Sequence, residues 1–348
     1  MEIRAHPGWN VGGALDNKGS ETSSGNPPIT RELINALADG GAASVRVPIT
    51  WWHRMGGAPD FLVREDFTAR VRQVVDWAVE AGLYVVINAH HDADWVARIT
   101  NDPHVIPRFR ALWRQIADAF VGYPDNLIFE CLNRPYIYED KSRDSLHYFQ
   151  QMDHLNCTFV QTVRGAGHPE RVLLLPTPGH GTTRPRMAAL TETVLRLADP
   201  RIAAAVQIHQ AGPVDEDIWG RMDEFFFKRG ISVVVTEFSI RENDEAYQKY
   251  MNDEAESRNT ALIRWDDERR FGRSVEPVNA EPAIAEPPTV EPPIAEPPSP
   301  PRVPPPEVFP LVSVTRPAVQ PAKMSGYAKV AIGVCVAASV TWYLLRRK

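Results

Sequence analysis

Through residues 1–272 the chain alternates two kinds of apolar pattern. One is a short run, roughly four to eight residues, that closes on polar side chains, as a buried parallel strand does at the rim of a sheet. The other is longer and repeats its apolar positions at helical spacing. The short runs predict strands at Gly8–Gly12, Ala43–Ile49, Tyr84–Asn88, Asn126–Pro135, Val172–Leu175, Ala203–Ile208, Ile231–Val235 and Ala261–Trp265. Between them, a helix starts at the N-cap residue Thr30, carries Leu33, Ile34 and Leu37, and stops at Gly40-Gly41. A second keeps Val71, Val74, Val75 and Ala78 on one face up to Gly82. Further helices are expected at Val105–Phe120, Leu146–Val163, Met187–Leu197, Ile218–Lys228 and Glu245–Arg258.

Eight strands separated by seven helices predict a (β/α)8 TIM barrel of the α/β class over residues 1–272. An open doubly wound sheet is the alternative, weakened because no Gly-rich phosphate loop follows the first strand. No eighth helix is evident, since Trp265 leads into Asp266-Asp267-Glu268-Arg269-Arg270 and then prolines.

Composition changes the picture only beyond the barrel. Of the 31 prolines, most fall in residues 273–326, where Glu276, Glu281, Glu286, Glu291 and Glu296 recur every five positions. Such a linker cannot build a core; in polyproline conformation it reaches on the order of 100–150 Å, as a stalk or as a plain spacer. Residues 327–348 contain Val330–Leu345 without a charge, flanked by Lys329 and Arg346, with Trp342 and Tyr343 suited to an interface. As a helix this is about 24 Å, close to a hydrocarbon core of ~30 Å, and predicts a single-pass C-terminal membrane anchor. The first residues carry no apolar signal stretch, which points to a tail anchor with the barrel in the cytosol; the basic end Arg346-Arg347-Lys348 points to the opposite orientation.

The formal charge of −6 gives no reason to expect nucleic-acid binding. Cys131, Cys157 and Cys335 suggest no disulfide framework, and no spacing of His, Cys, Asp and Glu reads as a metal site, so neither metal nor cofactor is expected.

Barrel enzymes work at the C-terminal ends of their strands. Those ends carry Trp9-Asn10, Arg46, His90-His91-Asp92, Asn133-Arg134, His209, Glu237 and Trp265. Taken singly, each has a structural reading: a hydrogen-bonded histidine, a salt-bridged glutamate, a core tryptophan. In this order they resemble glycoside hydrolase family 5, the cellulase family, and most closely its endo-β-1,4-glucanases. The resemblance runs over about residues 5–272 and rests on Gly8-Trp9-Asn10-Val11-Gly12, Val45-Arg46-Val47-Pro48, Asn88-Ala89-His90-His91-Asp92, Asn133-Arg134-Pro135, Ile208-His209, Thr236-Glu237-Phe238 and Arg264-Trp265-Asp266.

The resemblance implies a retaining glycosidase in which Glu237 is the nucleophile, Arg46 contacts it, and Trp9, His90, His91, Asn133, His209 and Trp265 meet a β-glucan or related polysaccharide. Trp95 is a further possible sugar face. It also implies a loss: Arg134 stands where the family carries the acid/base glutamate of Asn-Glu-Pro, and an arginine does not exchange protons near neutral pH. Two smaller departures are His209-Gln210-Ala211, which lacks the family's tyrosine, and Gly12-Gly13 in place of Gly-Asn. Arg134 is expected to lie near Glu237 and pair with it. Glu130, four residues earlier and about 13 Å away along the strand, is expected to be structural. The resulting readings are a membrane-anchored β-1,4-glucan hydrolase with impaired hydrolysis, a catalytically inactive glycan-binding pseudoenzyme, or a decayed product that keeps only the fold.

Overall fold

The structure, a computed structural model, describes residues 5–140, 144–209, 215, 217–239 and 244–265. Eight strands close a parallel barrel in sequence order: β1 (Gly8–Asn10), β2 (Ser44–Val47), β3 (Tyr84–Asn88), β4 (Leu127–Glu130), β5 (Leu173–Pro176), β6 (Ile202–His209), β7 (Ser232–Ser239) and β8 (Ala261–Arg264). β8 returns to pair with β1 through Gly8–Ile263 and Trp9–Arg264. The helices around it are α1 (Arg31–Asp39), α2 (Glu65–Glu80), α3 (Ala93–Val96), α4 (Val105–Ala119), α5 (Leu146–Gly165), α6 (Arg184–Leu197), α7 (Ile218–Phe225) and α8 (Glu245–Ser257). The expected barrel is therefore present, and Thr30 caps α1 as expected, its hydroxyl accepting the Leu33 N–H at 3.2 Å.

The two-residue period of each strand separates two apolar layers. Outward-facing Val85, Ile87, Leu127, Phe129, Leu173 and Leu175 join the helices in the larger buried cluster. Inward-facing Val86, Ile128, Leu174, Ala205, Val234 and Ile263 fill the lower barrel. Two positions further along the same inward face come Asn88, Glu130 and Gln207, so the interior turns polar one layer up, toward the strand exits.

Some elements differ from expectation. β1 stops at Asn10, and the short helix α3 follows β3 where no helix was expected. β7 runs on through Glu237 to Ser239, so Glu237 sits within a strand instead of beyond one. The β6–β7 pairing slips by a residue at Val206/Gln207, so that Gln207 lies opposite Glu237 instead of Thr236. Among the described residues no helix is long and apolar enough to cross a membrane. The linker, the span at Val330–Leu345 and any helix that follows β8 lie outside the described residues.

Candidate active site

Arg46 is the centre of the polar layer. β2 aims it inward, where its side chain has no solvent exposure, and all five of its N–H donors find an acceptor. Nε and Nη2 grip Glu130 at 2.6 and 3.2 Å; Nη1 reaches Glu237 Oε1 and Asn10 Oδ1, both at 2.8 Å; Nη2 also donates to Asn133 Oδ1 at 3.1 Å. One buried cation thus serves two buried carboxylates. Removal from water would raise the pKa of both. The Arg46 charge, together with the hydrogen bonds from Arg46 and from a histidine on each carboxylate, more than reverses this, holding Glu130 at about 2 and Glu237 well below the ordinary carboxylate range.

The further partners of the two carboxylates differ. Glu237 Oε2 meets His209 Nε2 at 3.2 Å, and that half-buried ring meets Ser239 Oγ on its other side at 2.8 Å. Glu130 Oε1 accepts from His180 Nε2 at 3.0 Å, and its Oε2 accepts from the Asn88 amide at 3.2 Å. Glu130 is fully buried, as the sequence reading expected of a structural residue. It does not stand apart from the site, however, because Arg46 ties it directly to Glu237.

His90, on the exit of β3, is kept neutral. Its Nδ1 and Nε2 face the amide nitrogens of Asn88 and Asn133 at 3.2 and 3.3 Å, a setting in which a doubly protonated ring would oppose N–H to N–H. Burial first, and then the charge of Arg46, lower its pKa to about 3. Trp265 lies parallel to His90, ring centres 5.9 Å apart, and is only partly buried, presenting a flat apolar face at the barrel mouth. Gly12 makes room for it: a Cβ there would come within 2.7 Å of the indole.

Of the residues singled out in the sequence, Arg46, Glu237, Asn133, His90, His209 and Trp265 lie together here. Three other assignments change. Trp9 lies between inward-facing Gly8 and Asn10, so it alternates outward and packs on the helix-side cluster. Trp95 is a packing residue: its N–H donates to Asp92 at 2.8 Å, and the Arg108 guanidinium lies 4.6 Å from its ring centre. His91 stands edge-on to His90, ring centres 4.8 Å apart, and makes no contact with Arg46 or its two carboxylates among the described hydrogen bonds.

Arg134 does not pair with Glu237. Its side chain is exposed and, among the described residues, forms no ion pair, while Glu237 is held by Arg46 and His209. Its backbone is fixed in the left-handed region, with φ of 42°. The Arg134 N–H donates to His180 Nδ1 at 2.9 Å, Asn133 N–H to Ala89 O at 2.9 Å, and Tyr148 Oη to Pro135 O at 2.6 Å. Position 134 is therefore held by bonds that do not involve its side chain.

Sequence reasoning missed His180 and Gln207. His180 bridges Glu130 to the Arg134 backbone from a left-handed turn with φ of 55°. Gln207 donates to Asn133 Oδ1 at 2.7 Å from inside β6. For Gln207 the signal available was its place two positions beyond the inward Ala205; His180 lies in a turn and offered none. Asp16, His90 and His91 bring ligand-type atoms within 4.8 Å of one another. Both His90 nitrogens already face amides and Asp16 accepts the Ala14 N–H, so the donor set is committed to hydrogen bonds.

The sequence profile described as Cellulase (glycosyl hydrolase family 5) matches residues 10–269. Endoglucanase B of Paenibacillus lautus is 31% identical over 302 residues, covering 77% of this chain and 53% of the relative. The full-length tri-modular endo-β-1,4-glucanase B of Bacillus halodurans superposes with a TM-score of 0.72 at 33% identity, over 79% of this chain and 58% of that one. A xyloglucan-specific endo-β-1,4-glucanase from a metagenomic library, solved with cellotriose, gives a TM-score of 0.67 at 26% identity, over 74% and 86%. The chain spans about half the length of the curated relatives it matches.

Proposed function

The chain belongs to glycosyl hydrolase family 5, and from that premise we propose that it recognises β-1,4-glucan at the barrel mouth, with hydrolysis impaired at position 134. A retaining glycosidase needs two carboxyl groups about 5–5.5 Å apart, one attacking the anomeric carbon and one passing a proton to and from the glycosidic oxygen. Glu237 suits the first role, being ionised, hydrogen-bonded and oriented by Arg46 and His209. The observation that carries the reading is at the second. Among the described residues, the other carboxylate in the Arg46 network is Glu130, which is fully buried and held at about pKa 2, while the exit of β4 presents Arg134. A carboxylate sealed under Arg46 cannot reach a leaving group, and a guanidinium does not give up its proton near neutral pH.

Loss of general acid/base help costs about 10²–10⁴-fold, so recognition outlasts turnover in this reading. Trp265 supplies the stacking face, with His90, His209 and Asn133 as polar contacts. Calorimetry with cellotriose should show saturable binding. An aryl cellobioside with an activated leaving group, which does not need the acid, should turn over slowly through Glu237 while unactivated β-glucan stays nearly intact. Rapid release of reducing ends from β-glucan by the native chain would sink the impaired-enzyme reading. Absence of cellotriose binding would sink recognition.

The same proposal includes the membrane anchor, supported by the uncharged stretch Val330–Leu345 and its flanking Lys329 and Arg346. The full chain should float with liposomes and a chain ending at residue 326 should not; equal behaviour of the two removes the anchor from the proposal.

A further inference from the structure

Beside the barrel mouth lies an open cavity of about 500 Å3 that the glucan reading does not use. Its walls come from the segment after β1 (Lys18, Gly19, Ser20), the turn after β2 (His53, Arg54) and the start of α2 with the residue before it (Arg64, Asp66, Phe67, Arg70). It therefore belongs to the face at which the strands exit. Four permanent cations converge on it, against Asp66 as the one acidic wall residue among those described.

Three of those cations have a carboxylate partner: Lys18 with Asp94 at 2.9 Å, Arg70 with Glu21 at 2.8 Å, and Arg64 with Asp66. Arg54 has none among the described residues. Its guanidinium lies 4.9 Å from the Phe67 ring centre and donates only to backbone carbonyls, to Asn17 and Lys18 at 3.3 and 3.1 Å and to Gly19. Arg54 therefore adds a positive charge that no carboxylate of the cavity wall neutralises by direct contact. The neighbouring groups register this: burial and then the Arg54 charge depress the His53 pKa, and burial and then Arg64 depress that of Arg54.

We propose that this cavity is an oxyanion site, taking the carboxylate group of an acidic sugar. The Arg64–Asp66 and Lys18–Asp94 pairs are solvent-exposed, and such pairs are worth about 0–1 kcal/mol, so an incoming oxyanion competes with them at little cost. Arg64 can meet a planar carboxylate or a sulfate in two-pronged fashion, and Lys18 offers a point charge. Phe67 supplies an apolar wall beside the cations, which suits a sugar ring carrying the charge better than a bare ion.

The test holds ionic strength constant and follows the arginine Nε–H and the Ser20 and His53 amide resonances of the full chain during titration. The probes are glucuronic acid, inorganic sulfate and, as neutral control, glucose. Saturable shifts with the two anions and none with glucose are expected. Tighter binding of glucuronic acid than of sulfate identifies the sugar acid as the ligand; equal or tighter sulfate binding overturns the sugar assignment in favour of a free oxyanion. Arg64→Gln and Lys18→Gln, both at exposed positions, should each weaken binding about tenfold, the loss of one charge-assisted contact. Anion shifts that fail to saturate, or that persist unchanged in both variants, overturn the site. Cellotriose binding, measured in parallel, reports on the barrel mouth separately, so neither outcome decides the other.

Discussion

The exits of β7 and β4 share one arginine and are finished differently. At β7, Arg46 holds Glu237 beneath a half-buried histidine at the open end of the barrel. At β4 the same arginine holds Glu130, three positions below Asn133, sealed by His180 and Asn88. Both carboxylates are ionised by the same neighbour, and both pKa values are low for the same reason. What separates a bracing carboxylate from one that can meet a ligand is therefore its depth in the barrel, not its charge state. On the proposed reading, the β4 exit has kept the brace and lost the group that worked above it.

The sharpest way to break this comparison is Arg134→Glu. His180, Ala89 and Tyr148 hold the surrounding backbone regardless of the side chain, so a glutamate introduced there starts from a fixed position. Turnover of β-glucan should rise about 10²–10⁴-fold, the worth of general acid/base catalysis, read as reducing ends released. No gain in a variant that still folds and binds cellotriose would place the defect elsewhere. Second in size is Arg46→Ala, which leaves Glu130 and Glu237 buried without a counter-charge. Breaking a buried pair in this way costs about 3–5 kcal/mol, visible in urea unfolding; a loss below about 1 kcal/mol would mean the two carboxylates do not depend on it.

Much of the barrel could be read in advance because each strand records its own burial. Val86 then Asn88, or Ile128 then Glu130, shows an inward face passing from apolar to polar within one strand. The same period places Trp9 outside, between two inward residues, once β1 is known to end at Asn10. What one strand cannot record is its register against the next. The slip at Val206/Gln207 sets Gln207 opposite Glu237 instead of Thr236, which the period of neither strand alone predicts. His180 was hidden for another reason: it acts from a left-handed turn after β5, where neither strand nor helix period applies. The pairing expected between Arg134 and Glu237 failed because Arg46 had already engaged the inner oxygen of Glu237 and His209 the outer one.

His90 sits between the two exits and gives the comparison a pH dependence. Its folded pKa of about 3 lies below the ordinary 6.5, so as pH falls through that window the unfolded chain takes up a proton that the folded ring refuses. Its contribution is complete above pH 6.5 and is lost progressively toward pH 3. Glu130, depressed from 4.5 to about 2, adds a second loss only below about pH 4.5. Asp92 works the other way: raised from 3.8 to about 6, it favours the folded state as pH falls through that interval. Exchanging His90 for glutamine removes one of these contributions and leaves the others. Comparing urea midpoints at about pH 7.5 and 5 should show a smaller loss in His90→Gln than in the native chain, by up to about 1.4 kcal/mol per pH unit. Parallel pH curves would show that His90 is not held neutral.

The smallest effect isolates the sugar face from the carboxylates. Trp265 lies parallel to His90 and occupies space that only the absence of a side chain at Gly12 leaves free. Gly12 is not in the left-handed region, so alanine is acceptable to its backbone, and the added carbon falls 2.7 Å from the far edge of the indole. The ring, only partly buried, can tilt without unfolding the core. Gly12→Ala should therefore leave the urea midpoint within about 0.5 kcal/mol, as a change away from core and caps does, yet weaken cellotriose binding several-fold by spoiling a stacking contact worth about 0.5–1.5 kcal/mol. Unchanged affinity with a displaced Trp265 fluorescence would mean the indole is not the face on which a glucose ring rests, and recognition would then depend on the polar exits of β4 and β7 alone.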